Sequence, residues 1–389
     1  FRNAILKDMG QMMDVVLVDK DTQKTTPAGQ ELNPLGIRFT NFENVTITNL
    51  ILDSVDMPVS PKNYRISHND VPKKRANICF ATGRNLEFIN SEFRCGQGTY
   101  IQGGYVQGDE TRLPNQLEFF MSKMYNVKNI IFKNILYNGK SKTEVFGFGK
   151  CKHILFEGID KQSDTLVSFF KMLQCEDVKI RGIDYINLQD YSLADISGTN
   201  YVIENVNIDY KKGKAFDITN EWGLGGGKLG DFTYKNCNID ADKVAFIGMH
   251  GYKKITPYPY IEPADNIIIE KCVLGHDGKR QEYTEEMSVA SNRGSISNLV
   301  IRDCAIYNMH LTKSTINWDK QLSNKFTTLF ENCSYIINDD FSLASDESPL
   351  AICTLYGKSN VNNCKFDLNR RRLLIRDGLV KKSDSSGQV

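Results

Sequence analysis

The chain of 389 residues carries 48 Lys and Arg against 47 Asp and Glu, a formal net charge of +1. That balance argues against a nucleic-acid partner, because general nucleic-acid binding draws its affinity from a basic excess. No run of about 18 apolar residues occurs, so no membrane span is expected, and the length suits two or three globular domains unless the chain is a repeat array.

The chain begins Phe1-Arg2-Asn3 without Met and reads as an interior fragment or a processed chain, with residues 1–39 as a lead-in or cap. From about residue 40 a short pattern recurs: apolar, any, apolar, any, a bend residue, then a residue of buried type. Its first copies are Val45-Thr46-Ile47-Thr48-Asn49-Leu50, Leu86-Glu87-Phe88-Ile89-Asn90-Ser91 and Ile130-Ile131-Phe132-Lys133-Asn134-Ile135. Three close copies follow, ending at Ile159, Ile183 and Val206. The later copies end in cysteine, at Cys237, Cys272, Cys304 and Cys333, and a degenerate copy ends at Cys364.

Period-two alternation makes these segments strands. Val, Ile, Phe and Tyr suit a pleated, half-buried surface, and Asn or Gly before the last position suits a tight bend at positive φ. The shortest step between copies is about 23 residues, one turn of a three-faced solenoid; longer steps mean inserted loops. A second strand column follows the first: Glu144 to Phe148, Val167 to Met172, Leu193 to Ser197, Ala215 to Thr219, Val244 to Gly248, Ser288 to Ser291, Ser314 to Trp318 and Ala351 to Leu355. The reading is an all-β chain, a right-handed parallel β-helix of about eleven coils over residues 40–368, with a C-terminal strand and polar tail over 369–389.

The five cysteines at equivalent positions form one column. Small buried thiols in an internal stack explain them; disulfides between coils are the alternative, though five positions in a row cannot all pair. A row of reduced thiols fits folding in a reducing compartment. No CxxC pair occurs and the five histidines are scattered, so no metal and no cofactor is expected.

Chemistry on a solenoid sits on its loops and outward rows. Lys171, Asp195 and Asp217 occupy equivalent strand positions between apolar or small neighbours, so alternation turns them outward in a line. Two carboxylates about 5 Å apart match a retaining glycosidase pair, and like-charge proximity raises one of the two pKa values. A solvated ionic row is the plainer reading. Glu221 and Trp222 follow in a glycine-rich loop, where Trp222 suits sugar stacking and Glu221 a polar or acidic role; the glycines lack the Lys-Ser/Thr end of a phosphate loop. His250, Tyr252, Tyr258 and Tyr260 form an aromatic and polar loop of the kind that meets carbohydrate, with Trp318 a further instance; a loop packed on the flank of the solenoid accounts for the same residues.

The stacked repeat resembles the pectate-lyase-like right-handed parallel β-helix superfamily over roughly residues 40 to 368. Within it the phage tailspike and appendage proteins fit best, since they assemble in a host cytoplasm, which tolerates free thiols. The polygalacturonase-type series of acidic, Gly-His-Gly and Arg-Ile-Lys motifs is missing, the nearest fragment being Met249-His250-Gly251, and no catalytic residue is carried over. The resemblance implies a homotrimeric virion tail protein, facing the extracellular space beside other tail proteins. Such a protein recognises, and in its enzymatic members depolymerises, a bacterial surface polysaccharide. A secreted polysaccharide lyase or glycoside hydrolase and a non-catalytic adhesive β-helix are the alternatives.

Overall fold

The computed structural model describes residues 5–7, 11–19, 25–33, 37–53, 64–66, 78–94, 101–104, 127–138, 144–161, 168–186, 194–209, 214–219, 230–240, 243–248, 264–275, 277, 288–292, 296–314, 327–337, 351–356, 358–367 and 372–376. No helix occurs among them. The chain divides into two compact units, Phe1–Cys175 and Glu176–Val389. Both are runs of parallel strands stacked coil on coil, and the fold class is the right-handed parallel β-helix. That hand is the one a parallel crossover between twisted strands adopts.

In the first unit, Ile37–Thr48 pairs in parallel with Ile78–Arg94, which pairs with Val127–Asn138, which pairs with Lys152–Lys161. Upstream, Ile5–Lys7 lies parallel to Ile51–Asp53, and a separate antiparallel sheet joins Gln11–Asp19 to Thr25–Asn33 and Tyr64–Ile66. The register stacks like on like. Phe88, Phe132 and Phe156 are Cα partners in succession, and their rings stack at 4.8 and 5.1 Å with interplanar angles of 10° and 8°. All three are fully buried.

In the second unit, Ala194–Asp209, Gly230–Lys235, Ala264–Glu270, Ile296–Arg302, Thr327–Glu331 and Lys358–Asn362 form the equivalent ladder. Its inner rows are Tyr201, Phe232, Ile267 and Leu299, and beside them Ile203, Tyr234, Ile269, Ile301 and Phe330, all buried. A second column runs Ala194–Asp209, Lys214–Thr219, Lys243–Gly248, Ser288–Asn292 and His310–Ser314. In this column His310–Ser314 is the partner of Ser288–Asn292, and of the segment Ser314 to Trp318 read from the alternation, residues 315–318 lie outside the described residues. Only Asn308, at φ 48°, and the buried Met309 separate His310–Ser314 from the preceding strand Ala305–Tyr307, so this corner holds no long insertion.

The repeat residue is buried from the first copy to the tenth: Leu50, Ser91, Ile135 and Ile159 in the first unit, Ile183, Val206, Cys237, Cys272, Cys304 and Cys333 in the second. Before it stands a residue in the left-handed region in every copy, from Asn49 at φ 53° to Asn363 at φ 49°. Asn and Gly tolerate that conformation best. Lys271 and Asp303 adopt it too, at φ 55° and 54°, because the coil requires a corner there whatever the side chain. The corner amides also bond along the stack: Asn134 donates to Asn90 at 3.0 Å, Asn332 to Asp303 at 3.2 Å and Asn363 to Asn332 at 2.9 Å.

A second corner lies five residues upstream. Asn44, Asn85, Asn129, His153, Asp177, Asn200 and Asp231 all have positive φ there. Its side chains form their own ladders: Asn85 donates to Asn44 and Asn129 to Asn85, at 2.7 and 2.8 Å, in the first unit, and Asn200 donates to Asp177 at 2.8 Å in the second.

Candidate functional site

Lys171, Asp195 and Asp217 lie on strands of the second column. Asp195 and Asp217 are Cα partners on adjacent parallel strands, Ala194–Asp209 and Lys214–Thr219. Adjacent strands lie about 4.8 Å apart. The flanking residues Ile196 and Phe216 are buried, as the alternation requires. The row continues from Asp217 to Phe246, Ser291 and Lys313, so within this unit it holds two carboxylates and then changes character. In the other unit Lys171 is the Cα partner of Gly147, between the buried Phe170 and Met172. Glu221, Trp222, His250, Tyr252, Tyr258, Tyr260 and Trp318 lie outside the described residues.

A second row was not anticipated, although every residue of it stands in the repeat. The fourth position of successive copies reads Lys133, Glu157, Arg181, Glu204, Lys235, Glu270, Arg302, Glu331: eight charges of strictly alternating sign. Like charges directly opposite would repel across a ladder, and alternation replaces each repulsion with a pair. In the first unit Lys133 lies 3.8 Å from Glu157. In the second, Lys179 lies 2.8 Å and Arg181 4.0 Å from Glu204.

Glu270 is the best-shielded member. Its side chain is 11% exposed, with the Lys235 ammonium at 3.1 Å and Arg302 donating through Nε at 2.9 Å and also through Nη2. The Arg302 hydrogen bond, followed by that from Lys235, holds the Glu270 carboxyl below its usual value. Partial burial opposes the shift without cancelling it. This row is a stabilising element of the coil stack; period-two reading found its apolar neighbours and passed over the sign pattern between them.

Among the described residues no group of three or more His, Cys, Asp or Glu is placed to hold a metal ion. No disulfide links any of the described cysteines, Cys151, Cys175, Cys237, Cys272, Cys304, Cys333 and Cys364.

No protein-family model matches the sequence, and no curated protein matches it. Among solved structures the chain is similar to the tailspike protein of Escherichia coli bacteriophage HK620 in complex with a pentasaccharide. The TM-score is 0.45 at 10% identity, over 87% of this chain and 60% of that one. It is also similar to tailspike gp49 of Acinetobacter baumannii bacteriophage Fri1, a capsular polysaccharide depolymerase. Here the TM-score is 0.33 at 11% identity, over 88% of this chain and 58% of that one. The chain thus spans about three fifths of the length of these tailspikes.

Proposed function

We propose that this chain is a tailspike-like or appendage-like β-helix that recognises a bacterial surface polysaccharide and cleaves it, with Asp195 and Asp217 as the reacting carboxylates. The observation that carries the reading is the register of those two residues, one strand spacing apart on a rigid stack of coils. Two carboxylates in that register offer one glycosidic bond the two groups that glycoside hydrolysis uses, an acid and a nucleophile. Retaining hydrolases hold their two carboxyl groups about 5–5.5 Å apart, and one strand spacing of about 4.8 Å suits such a pair. The reading extends to this chain what the names of the two tailspikes state of them: binding of an oligosaccharide, and depolymerisation of a capsular polysaccharide.

The remaining residues take roles around that pair. Glu221 and Trp222 follow Asp217 within five residues of chain and supply a polar partner and a stacking face. His250, Tyr252, Tyr258, Tyr260 and Trp318 extend the sugar-binding surface. The working form is a homotrimer on a virion tail, facing the extracellular space. The reduced cysteine column supports assembly in a reducing compartment over folding during secretion.

The test is incubation with a panel of capsular and O-antigen polysaccharides. New reducing ends measure hydrolysis and the ultraviolet absorbance of an unsaturated product measures elimination. Cleavage of one glycan with new reducing ends and no absorbance is the expected result. Absorbance would assign a lyase and remove the carboxylate-pair mechanism. Binding without any product would leave an adhesive β-helix. Light scattering gives the mass, and a clean monomer removes the trimer.

A further inference from the structure

The column that begins as Ile183 and Val206 continues as Cys237, Cys272, Cys304, Cys333 and Cys364, one residue per coil of the second unit. Each thiol donates to the carbonyl two residues before it: Cys237 to Lys235 at 3.3 Å, Cys272 to Glu270 at 3.2 Å, and Cys304, Cys333 and Cys364 to Arg302, Glu331 and Asn362 at 3.1 Å. Ser91 makes the same bond to Ile89 at 3.2 Å in the first unit. The position therefore takes a small donor tucked under the corner. The backbone holds the cysteines in succession, since Val273, Ala305, Ser334 and Lys365 donate to the carbonyls of Cys237, Cys272, Cys304 and Cys333 at 2.8 to 3.0 Å.

The five thiols differ in access. Cys237, Cys272, Cys304 and Cys333 are 3% exposed or less, whereas Cys364 is half-buried in the last described coil. The Cys333 N–H points at the Cys364 sulfur from 3.5 Å, so these two sulfurs belong to touching coils.

We infer that Cys364 and Cys333 form an oxidation-sensitive pair, with Cys364 the site at which a low-molecular-weight disulfide such as glutathione disulfide enters the column. The Cys364 thiolate attacks one sulfur of glutathione disulfide, forming a mixed disulfide and expelling one glutathione thiolate. The Cys333 sulfur then attacks the Cys364 sulfur, forming an inter-coil disulfide and expelling the second. The two cysteine protons end on the two glutathiones, so two thiols are oxidised and one disulfide is reduced. Access sets the order, because the first attack needs contact with solvent and the second does not.

The bond so formed is strained and reversible. In-register parallel strands hold equivalent residues about 4.8 Å apart. That lies within the Cα range of disulfides, roughly 4.4–6.8 Å, but beyond their usual Cβ separation of about 3.5–4.5 Å. Strain raises the reduction potential, which makes the pair a switch on the terminal coil and not a staple. Burial keeps glutathione disulfide away from Cys237, Cys272 and Cys304, and the hydrogen bonds that Cys272 donates to Cys237 and Cys304, followed by burial, hold Cys272 far above its ordinary range. Cys237 and Cys304, as the acceptors of those hydrogen bonds, are held below their ordinary range although burial opposes the shift. Cys333 is raised as well, by its hydrogen bond to Cys304 and by burial, so it makes no first attack and its step on the Cys364 adduct is the slow one.

The first unit contains an internal control. Cys151 and Cys175 are hydrogen-bonded neighbours, both fully buried, and burial followed by that contact raises the Cys151 thiol well above its ordinary range. The test exposes the folded full chain to glutathione disulfide, alkylates what remains and maps the cysteines by peptide mass. The expected product is a Cys333–Cys364 disulfide, reversed by dithiothreitol, with Cys151 and Cys175 still alkylated. Cys333→Ser should trap glutathione on Cys364, and Cys364→Ser should leave Cys333 alkylated. Oxidation of Cys151–Cys175 at the same rate would mean pairing in the unfolded chain and would overturn the inference. So would an alkylated Cys364 in the treated wild-type chain, or a glutathione adduct retained on Cys364 although Cys333 is present.

Discussion

Asp195 and Asp217 are register partners on neighbouring parallel strands. If they are the reacting pair, Asp195→Asn and Asp217→Asn each remove an ionisable oxygen while keeping size and hydrogen-bonding shape. Each variant should lose glycan cleavage by about 10²–10⁴-fold, the range that a positioned acid–base group contributes, with polysaccharide binding retained. Reducing-end assays beside a binding assay separate the two effects. Product stereochemistry by NMR adds an independent check, because the spacing calls for retention at the anomeric carbon. Wild-type rates in both variants would remove the pair from the chemistry.

Glu270 should make the fold sensitive to acid. Its carboxyl is held below the usual 4.5 by Arg302 and then Lys235. A depressed folded-state pKa contributes stability above the unfolded value, and that contribution fades as pH falls through the folded one. Arg302 and Lys235 are 45% and 40% exposed, so solvent screens the pairs; Glu270→Gln should cost about 1–2 kcal/mol at neutral pH. The gap between wild type and variant should stay constant down to pH 4.5 and narrow below it. Urea titrations across that range measure it, and a gap that widens in acid would contradict the assignment.

Phe132 lies between Phe88 and Phe156 with both faces covered. Phe132→Ala leaves a cavity that neighbours hydrogen-bonded in register cannot collapse to fill. The expected loss is about 3–5 kcal/mol. Leu is the better-tolerated replacement, because it restores most of the volume without the ring contacts. The urea midpoints should rank wild type, Phe132→Leu, Phe132→Ala.

How much of this was legible in the sequence follows from what repeats. The column from Leu50 to Cys364 could be read because each copy combines period-two alternation with a bend residue, and both are local signals. The upstream corner at His153 and Asp177 could not, since these residues do not advertise a positive φ and only the stacking of Asn44, Asn85 and Asn129 betrays the position. The alternating charges were visible residue by residue but acquire meaning only once register places Glu270 between Lys235 and Arg302. Alternation started the strand of this corner at Ser314, too late in the chain. The strand His310–Ser314 is mostly polar and takes its place from pairing with Ser288–Asn292. Loop residues such as Trp222 and Tyr258 carry no periodic signal, so composition alone nominated them.

Lys271 shows where the fold outweighs local preference. It occupies the corner at φ 55°, between copies that place Asn236 and Asp303 at φ 51° and 54°. A β-carbon in the left-handed region costs roughly 1–2 kcal/mol, less for Asn, whose short amide bonds locally. The Lys271 side chain is exposed, so little packing is lost on replacement. Lys271→Asn should therefore stabilise the chain by about 0.5–1 kcal/mol, and Lys271→Gly should do so by less, because glycine also loosens the unfolded chain. Lys271→Val should destabilise, since β-branching makes the left-handed region harder to reach. An ordering of urea midpoints as Asn, Gly, Lys, Val would establish the corner as a backbone requirement that the side chain merely tolerates. A Val variant as stable as the wild type would show that the corner can relax.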